Sequence, residues 1–230
     1  MHADWATDET AGASRTRSWN SRRECRSVCR ALARVPSGAS VLDIPCGDAR
    51  WLTPLVNCGY RVTCADSSEL ALASASQRWQ QLAKSGVTPG VAPTFVLCRL
   101  PQTAFPDRHF DAVVCTRFFD ELDTSERRIE ALRELRRVSR GPVIVSFCNA
   151  FALGALRISF ASGSKHPEHQ PSPVPVWAFL NDLRRAGLKP VKRHAVLWGI
   201  SPLWHVVSVP FAGRATGLLE RTREGASKAA

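Results

Sequence analysis

A loop that follows a buried strand carries the residues best suited to hold a ligand. Residues 41–44 are mostly apolar and predict a strand covered on both faces, as in a parallel sheet. Asp43 stands at the carboxyl end of this strand, and Pro45 and Gly47 then break it. Gly47 permits a tight turn or a close approach of backbone to a ligand. A carboxylate in this place would repel a pyrophosphate, but it suits the cationic amino group of an amino acid.

A second carboxylate, Asp66, ends the next predicted strand. It lies 23 positions after Asp43, which is the length of one strand–helix–strand unit. A carboxylate at the tip of the second strand can accept hydrogen bonds from both ribose hydroxyls of a nucleoside. Residues 66–69, Asp-Ser-Ser-Glu, also fit the N-cap of a helix. We favour the ribose role, because Ser67 or Ser68 can cap the helix instead.

Two adjacent acids, Asp120 and Glu121, follow the fourth predicted strand. The carboxyl ends of parallel strands meet at one edge of a sheet, which is where ligands bind in open α/β folds. Acids at this edge can position or deprotonate an acceptor, or steady a positive charge. They can equally cap the following helix. The sequence leaves both interpretations open.

Alternating strands and helices must position these loops. After a first helix over residues 21–35, turn residues divide the chain into segments with strand or helix periodicity. The predicted strands are 41–44, 60–65, 94–98, 110–115, 143–147, 189–197 and 203–209. The predicted helices follow residue 50 and span 68–84, 124–140 and 176–186.

This order, together with the first loop, resembles the class I S-adenosylmethionine-dependent methyltransferases. Their first motif is an acid followed by alternating small residues, and Asp43, Pro45, Gly47 and Ala49 occupy those positions here, with only the middle glycine kept. The segment after the third strand is similar to the family's G-D-A-x-x-L-P-F-P-D. The family's adenine-facing Asp is replaced by Arg99, which cannot accept that hydrogen bond.

The resemblance implies a Rossmann-like α/β fold with a seven-stranded, mostly parallel sheet, an antiparallel last strand and helices on both faces. It implies S-adenosyl-L-methionine as cofactor and methyl transfer to a small, partly hydrophobic acceptor. The expected catalytic residues are Asp120 and Glu121. The expected cofactor contacts are Asp43, Pro45, Gly47, Asp66, Ser67, Leu100, Cys115 and Thr116.

Within this resemblance, residues 150–175 form an insertion on the acceptor side. Its apolar residues, Phe151, Leu153, Leu156, Ile158 and Phe160, are expected to line the acceptor pocket. His166 and His169 lie close in sequence, but neither a nearby Cys nor clustered acids complete a metal site. No metal is therefore expected.

Composition fits one domain over residues 21–210, between polar tails of residues 1–20 and 211–230. Apolar runs stay well short of the roughly 18 residues that a membrane span needs, and the start of the chain lacks the apolar core of a secretory signal. The 8 cysteines form no C-x-x-C pair, which indicates reduced thiols and a cytoplasmic protein. The net charge of +11 favours anionic partners, but the basic residues are scattered and each cluster fits a solvated helix face.

Two other classes compete with this interpretation. A nicotinamide oxidoreductase would need G-x-G-x-x-G at the first turn, and Asp43 opposes it. A non-catalytic nucleotide- or nucleic-acid-binding module is favoured by the charge and by the loss of the family's residues at Arg99 and Asp120. Among enzymes, an RNA methyltransferase is the main alternative. Specific nucleic-acid binding is nevertheless not expected, because no aromatic and basic face accompanies the charge. Oligomeric state is left open.

Overall fold

A computed structural model describes residues 15–84, 91–152, 172–195 and 203–211. Its centre is a seven-stranded sheet with the strand order β3-β2-β1-β4-β5-β7-β6. The strands are β1 (Ser40–Asp43), β2 (Arg61–Asp66), β3 (Thr94–Leu97), β4 (Ala112–Cys115), β5 (Val143–Cys148), β6 (Leu188–Ala195) and β7 (Leu203–Pro210). β1 to β5 pair in parallel, and β7 runs antiparallel between β5 and β6. The predicted Rossmann-like fold is confirmed.

Helices cover both faces of the sheet. They are α1 (Arg15–Leu32), α2 (Leu52–Asn57), α3 (Glu69–Lys84), α4 (Ser125–Val138) and α5 (Val176–Arg185), with a 3-10 turn over Phe119–Glu121. One core cluster contains side chains of α4 and α5, and the other contains side chains of α1, α2 and α3. The central strands contribute side chains to both clusters, so β4 and β5 are buried along their whole length. This explains their uninterrupted apolar sequences.

The helical repeat of apolar residues in the sequence correctly predicted α4. Ile129, Leu132, Leu135 and Val138 are all buried on the side of the sheet. The helix begins after Thr124, whose side chain accepts a hydrogen bond from the backbone N–H of Arg127 at 3.3 Å. Packing against the sheet, together with this cap, fixes the helix that follows the loop of Asp120 and Glu121.

The N-terminal boundary differs from the expectation. α1 begins at Arg15, six residues before the predicted start of the first helix at residue 21. The start of α1 is polar, and periodicity therefore carries no signal there. The predicted pocket wall (Leu153, Leu156, Ile158 and Phe160), the His166–His169 pair and residues 212–230 of the C-terminal tail lie outside the described residues. Among the described helices, none is long and apolar enough to cross a membrane.

The parallel strands give the sheet two functionally different edges. The loops that leave β1 to β4 all emerge at one side, here called the carboxyl edge. The segments that enter β1, β4 and β5 lie at the opposite side, here called the amino edge. The residues predicted to bind the cofactor stand at strand ends or in the loops that follow them, so they belong to the carboxyl edge.

Candidate functional site

A cavity of about 530 Å³ opens at the carboxyl edge. Its walls are the loops that follow β1, β2, β3 and β4. Six predicted cofactor residues line it, together with Glu121: Pro45, Gly47, Asp66, Ser67, Leu100 and Thr116. Asp43, Cys115 and Asp120 are not among its lining residues. The volume lies within the usual range for sites that bind small organic molecules, about 300–1,000 Å³.

The loop after β1 turns at Gly47 and leaves open space beside it. Gly47 has φ +52°, the left-handed region that favours glycine, and its N–H donates to Oδ2 of Asp66 at 2.9 Å. A Cβ placed on Gly47 would meet no atom within 4 Å. The space beside this glycine is therefore open, and backbone can approach a ligand there.

Asp66 has a structural role as well as a place in the cavity. Its Oδ1 accepts the N–H of Ser68 at 3.0 Å, while Oδ2 holds Gly47. The N-cap of α3 is supplied by Ser68, whose hydroxyl accepts the N–H of Ala71 at 3.3 Å. The expectation that a serine caps this helix is confirmed. A carboxylate has about four acceptor positions, so Asp66 retains capacity for ribose hydroxyls.

Asp43 lies beneath the loop rather than on the cavity wall. Its side chain is fully buried, and neither carboxylate oxygen accepts a hydrogen bond from any described residue. Burial raises the pKa of this carboxyl group well above 3.8, and the nearby Asp48 and Asp66 raise it further. An unpartnered buried carboxylate next to an open cavity fits a ligand that brings positive charge.

The side of the cavity next to β4 is formed around a buried hydrogen bond. Nε1 of Trp51 donates to the hydroxyl of Thr116 at 2.8 Å, and both side chains are buried. Cys115, one residue earlier, is completely buried, and burial raises the pKa of its thiol well above 9.0. Its side chain belongs to the core, so any contact of Cys115 with a ligand would have to come from its backbone.

A residue that the sequence analysis did not identify connects α1 to two loops of the carboxyl edge. Glu24 on α1 is 2% exposed and accepts hydrogen bonds from Arg50 and from Arg117, each at 2.7 Å. The two arginines line the cavity on different loops. Glu24 shares one helical stripe with Val28 and Leu32, and an acid inside an apolar i, i+4, i+8 stripe was the signal available in the sequence.

The two acids after β4 occupy different environments. Glu121 is exposed and lines the cavity, whereas Asp120 is largely buried and its Oδ1 has no hydrogen-bond partner among the described residues. Burial raises the pKa of Asp120, opposed by a hydrogen bond with the backbone of Cys148. The alternative that these acids cap α4 is wrong, because Thr124 supplies that cap.

The charges on the cavity wall are balanced. Three basic side chains, Arg50, Arg99 and Arg117, face three acidic ones, Asp48, Asp66 and Glu121. Such a mixture matches a ligand that carries both signs of charge. It matches a dinucleotide poorly, because the first two loops supply two carboxylates near the place of a pyrophosphate.

Aromatic side chains extend beyond the cavity on the side of β5. Phe151 and Trp177 pack with ring centroids 4.8 Å apart, and they are 65% and 61% exposed. Phe151 follows β5, and Trp177 stands in the first turn of α5. Residues 153–171 of the predicted acceptor-side insertion separate these two positions and lie outside the described residues.

Comparison with known proteins agrees with this architecture. Residues 41–141 match a family model described as a methyltransferase domain. The matched residues include the four loops that line the cavity. No curated protein sequence matches the chain. The match supports the predicted resemblance to the class I S-adenosylmethionine-dependent methyltransferases over these residues, and the sheet topology confirms the predicted fold.

Solved structures share the fold at low sequence identity. Magnesium protoporphyrin IX methyltransferase from Synechocystis PCC 6803, solved with bound SAH, is 19% identical with a TM-score of 0.69, over 88% of this chain and 90% of that one. A SAM-dependent methyltransferase from Aquifex aeolicus is 16% identical with a TM-score of 0.60, over 86% and 94%. The cyclase SpnF is 16% identical with a TM-score of 0.66, over 91% and 86%. Identities of this size establish the fold alone.

Proposed function

We propose that this protein transfers a methyl group from S-adenosylmethionine to a small, partly hydrophobic acceptor. The observation that carries the proposal is the cavity at the carboxyl edge. It combines the Gly47 turn, the carboxylate of Asp66 and a balanced set of charges. The methyltransferase family match over the same loops supports it.

The chain's own residues suit the parts of this cofactor. Asp66 would accept hydrogen bonds from the ribose hydroxyls, and the left-handed turn at Gly47 would leave room for the ligand. The buried carboxylate of Asp43 would favour the cationic amino group from beneath the loop. Adenine would lie against the backbone near Leu100, because Arg99 offers no acceptor atom for its amino group.

The chemistry needs alignment more than acid or base catalysis. S-adenosylmethionine supplies an already activated methyl group, which a nucleophile displaces directly. The enclosing loops hold the reacting groups in line and exclude water. Thr116 and Trp51 stiffen one wall, and Glu24 joins two loops to α1. Asp120 or Glu121 would position the acceptor or take its proton.

An apolar acceptor is supported by the exposed Phe151–Trp177 pair. Two large aromatic side chains packed together at the surface beside the site are unusual, since exposed apolar clusters commonly mark binding surfaces. They stand after β5 and at the start of α5, which flank the insertion that the sequence predicts on the acceptor side. A planar or aliphatic molecule would stack there while its nucleophile points to the cavity.

Calorimetric titration with S-adenosylhomocysteine tests the cofactor. The wild-type protein should bind it, and Asp66→Ala should bind more weakly by about 1–3 kcal/mol, the range for hydrogen bonds to charged groups. Asp48→Ala removes an acid from the neighbouring loop without removing the ribose acceptor, so it is the matched control. If folded Asp66→Ala binds as tightly as the wild type, the ribose assignment is wrong.

Tritiated methyl transfer tests the activity. Incubation of the protein and labelled cofactor with a small-molecule extract should give a labelled organic product, and Trp177→Ala should reduce its formation without weakening S-adenosylhomocysteine binding. Cofactor binding without any labelled product would contradict methyl transfer. The shared fold of a cyclase shows why binding alone does not establish the reaction.

A further inference from the structure

The amino edge of the sheet holds a second cavity, of about 630 Å³. It lies between the end of α1, the last turns of α4, the segments that enter β4 and β5, and strands β6 and β7. The cofactor cavity opens at the other edge, and the two share no lining residue. The volume again falls within the usual range for small organic ligands.

Positive charge dominates this second cavity. Eight basic side chains and one acidic side chain line it. Arg137 pairs with Glu134 and with the single acid, Asp107, and Arg140 pairs with Asp111. The remaining six form no ion pair within the described part of the chain. They are Arg30, Arg34, Arg108, Arg133, Arg136 and Lys192.

These cations come from separate parts of the sequence. Arg30 lies in the last turn of α1 and Arg34 just after it. Arg133 and Arg136 lie on α4, and Lys192 lies on β6. Bringing like charges together without acids costs free energy, because each cation raises the potential felt by the others. A bound anion would recover that cost. The arginine forks match phosphate and carboxylate oxygens with two hydrogen bonds at a time.

The wall between the cations is apolar. Val35, Val207 and Val209 line the cavity, and Val191 and Phe211 are 50% and 49% exposed at it. A diffuse basic surface for nucleic-acid backbone needs no such wall. The combination fits a ligand with several negative charges attached to an apolar body.

We propose that the cavity at the amino edge binds a small organic polyanion, with two or more phosphate or carboxylate groups on an apolar or aromatic body. The six unpaired cations hold the anionic groups, and the valine wall holds the body. This site shares no lining residue with the cofactor cavity. Both ligands can therefore be bound at the same time.

Adenosine triphosphate, a polyanion with an aromatic body, is a suitable probe, and inorganic tripolyphosphate carries the same phosphate chain without the body. Titrations are made at about 0.15 M salt, where screening weakens scattered surface charges, and with S-adenosylhomocysteine present to fill the cofactor cavity. The wild-type protein should bind adenosine triphosphate at least about tenfold more tightly than tripolyphosphate. Arg30→Gln and Arg133→Gln should each weaken it about tenfold, as expected for a lost charged hydrogen bond.

Arg26→Gln and Arg127→Gln are the matched controls, because they remove the same charge from α1 and α4 at exposed positions outside both cavities. They should change the affinity less than about twofold. Asp66→Ala, which removes the ribose acceptor from the cofactor cavity, should leave this binding unchanged, so a failure of the proposed function is separable from a failure here. Equal losses in all four arginine variants, or equal affinity for tripolyphosphate, would overturn the proposal. Tighter binding of a short single-stranded RNA than of adenosine triphosphate would overturn it in favour of a nucleic-acid surface.

Discussion

At the scale of single residues, the burial of Asp43 opposes its ionisation. Above the ordinary pKa of 3.8, an unfolded Asp43 loses its proton while the buried carboxyl group keeps it. The folded protein then binds more protons than the unfolded one, so this residue lowers stability as the pH rises from about 3.8 through its raised pKa. A bound cation would reverse the effect by favouring the charged carboxylate.

We therefore expect Asp43→Asn to melt at a higher temperature than the wild type at about pH 8, by about 2–4 °C for each kcal/mol gained. The difference should shrink at about pH 3, below 3.8, where the wild-type carboxyl group is mostly protonated in both states. The same variant should bind S-adenosylhomocysteine more weakly. Asp48→Asn, an exposed acid of the same loop, is the control. An unchanged pH dependence in Asp43→Asn would mean that the buried carboxyl group ionises as freely as one in water.

The roles of Asp120 and Glu121 can be distinguished because their environments differ. Only the deprotonated carboxylate accepts a proton, and burial moves the pKa of Asp120 upward from 3.8. If Asp120 is the proton acceptor, turnover should rise with pH through that raised pKa, and Asp120→Asn should lower turnover by about 10²–10⁴-fold with little change in cofactor affinity. Glu121→Gln, at the exposed neighbour, is the comparison. A lower melting temperature with an unchanged rate would leave Asp120 only a structural role.

At the scale of elements, α1 is joined to the cofactor cavity through Glu24. Its carboxylate is 3% exposed, while Arg50 and Arg117 are 29% and 52% exposed, so water screens the pairs on the arginine side. Replacing the acid leaves two cations beside the cavity without their partner. The loops after β1 and β4 would then lose their common attachment.

Glu24→Gln should lower the free energy of unfolding by about 1–3 kcal/mol, less than for a fully buried pair because the arginines are partly solvated. It should also weaken S-adenosylhomocysteine binding and speed hydrogen exchange in α1. Glu69→Gln, which removes an exposed acid from the first turn of α3, controls for net charge. Wild-type exchange rates in α1 of the Glu24 variant would show that the helix is held by apolar packing alone.

The elements could be predicted from the sequence because their signals are local. The buried strands β1, β4 and β5 show as apolar runs, α4 shows as a three-residue repeat, and Gly47 marks its turn. The role of Glu24 could not be predicted because its partners are 26 and 93 residues away. A single charged residue in an apolar helical stripe does not reveal them. The buried position of Asp43 below the cavity, rather than on its wall, also depends on how neighbouring strands pack.

At the scale of the whole molecule, the basic residues are scattered along the sequence, and the fold brings eight of them together at the amino edge. Clusters such as Arg136–Arg137 were expected to be solvated helix faces. Arg136 is exposed, as that interpretation predicts, and it also lines the second cavity, whereas Arg137 is half-buried and pairs with Glu134 and Asp107. Only tertiary structure brings α1, α4 and β6 together, so charge spacing along the chain could not predict it.

The net charge of +11 predicts non-specific binding of RNA. Some non-specific affinity should appear at low salt and fall steeply as salt is added, with a slope of about one counterion for each phosphate neutralised. Total RNA should acquire no tritiated methyl group, because the basic cavity and the cofactor cavity lie at opposite edges. Filter binding over a salt series, followed by the methyl-transfer assay, checks both. Methyl incorporation into a defined RNA at about 0.15 M salt would favour the RNA methyltransferase alternative.

α1 reaches both edges of the sheet, and this has a thermodynamic consequence. Glu24 holds the loops of one cavity, while Arg30, six residues or about 9 Å further along the helix axis, lines the other. Any shift of this helix on binding at one edge changes the free energy of binding at the other. Reciprocity then applies: the factor by which a polyanion changes the affinity for S-adenosylhomocysteine equals the factor by which S-adenosylhomocysteine changes the affinity for the polyanion. Glu24→Gln, which removes the carboxylate that joins α1 to the loops of the cofactor cavity, should bring both factors toward one.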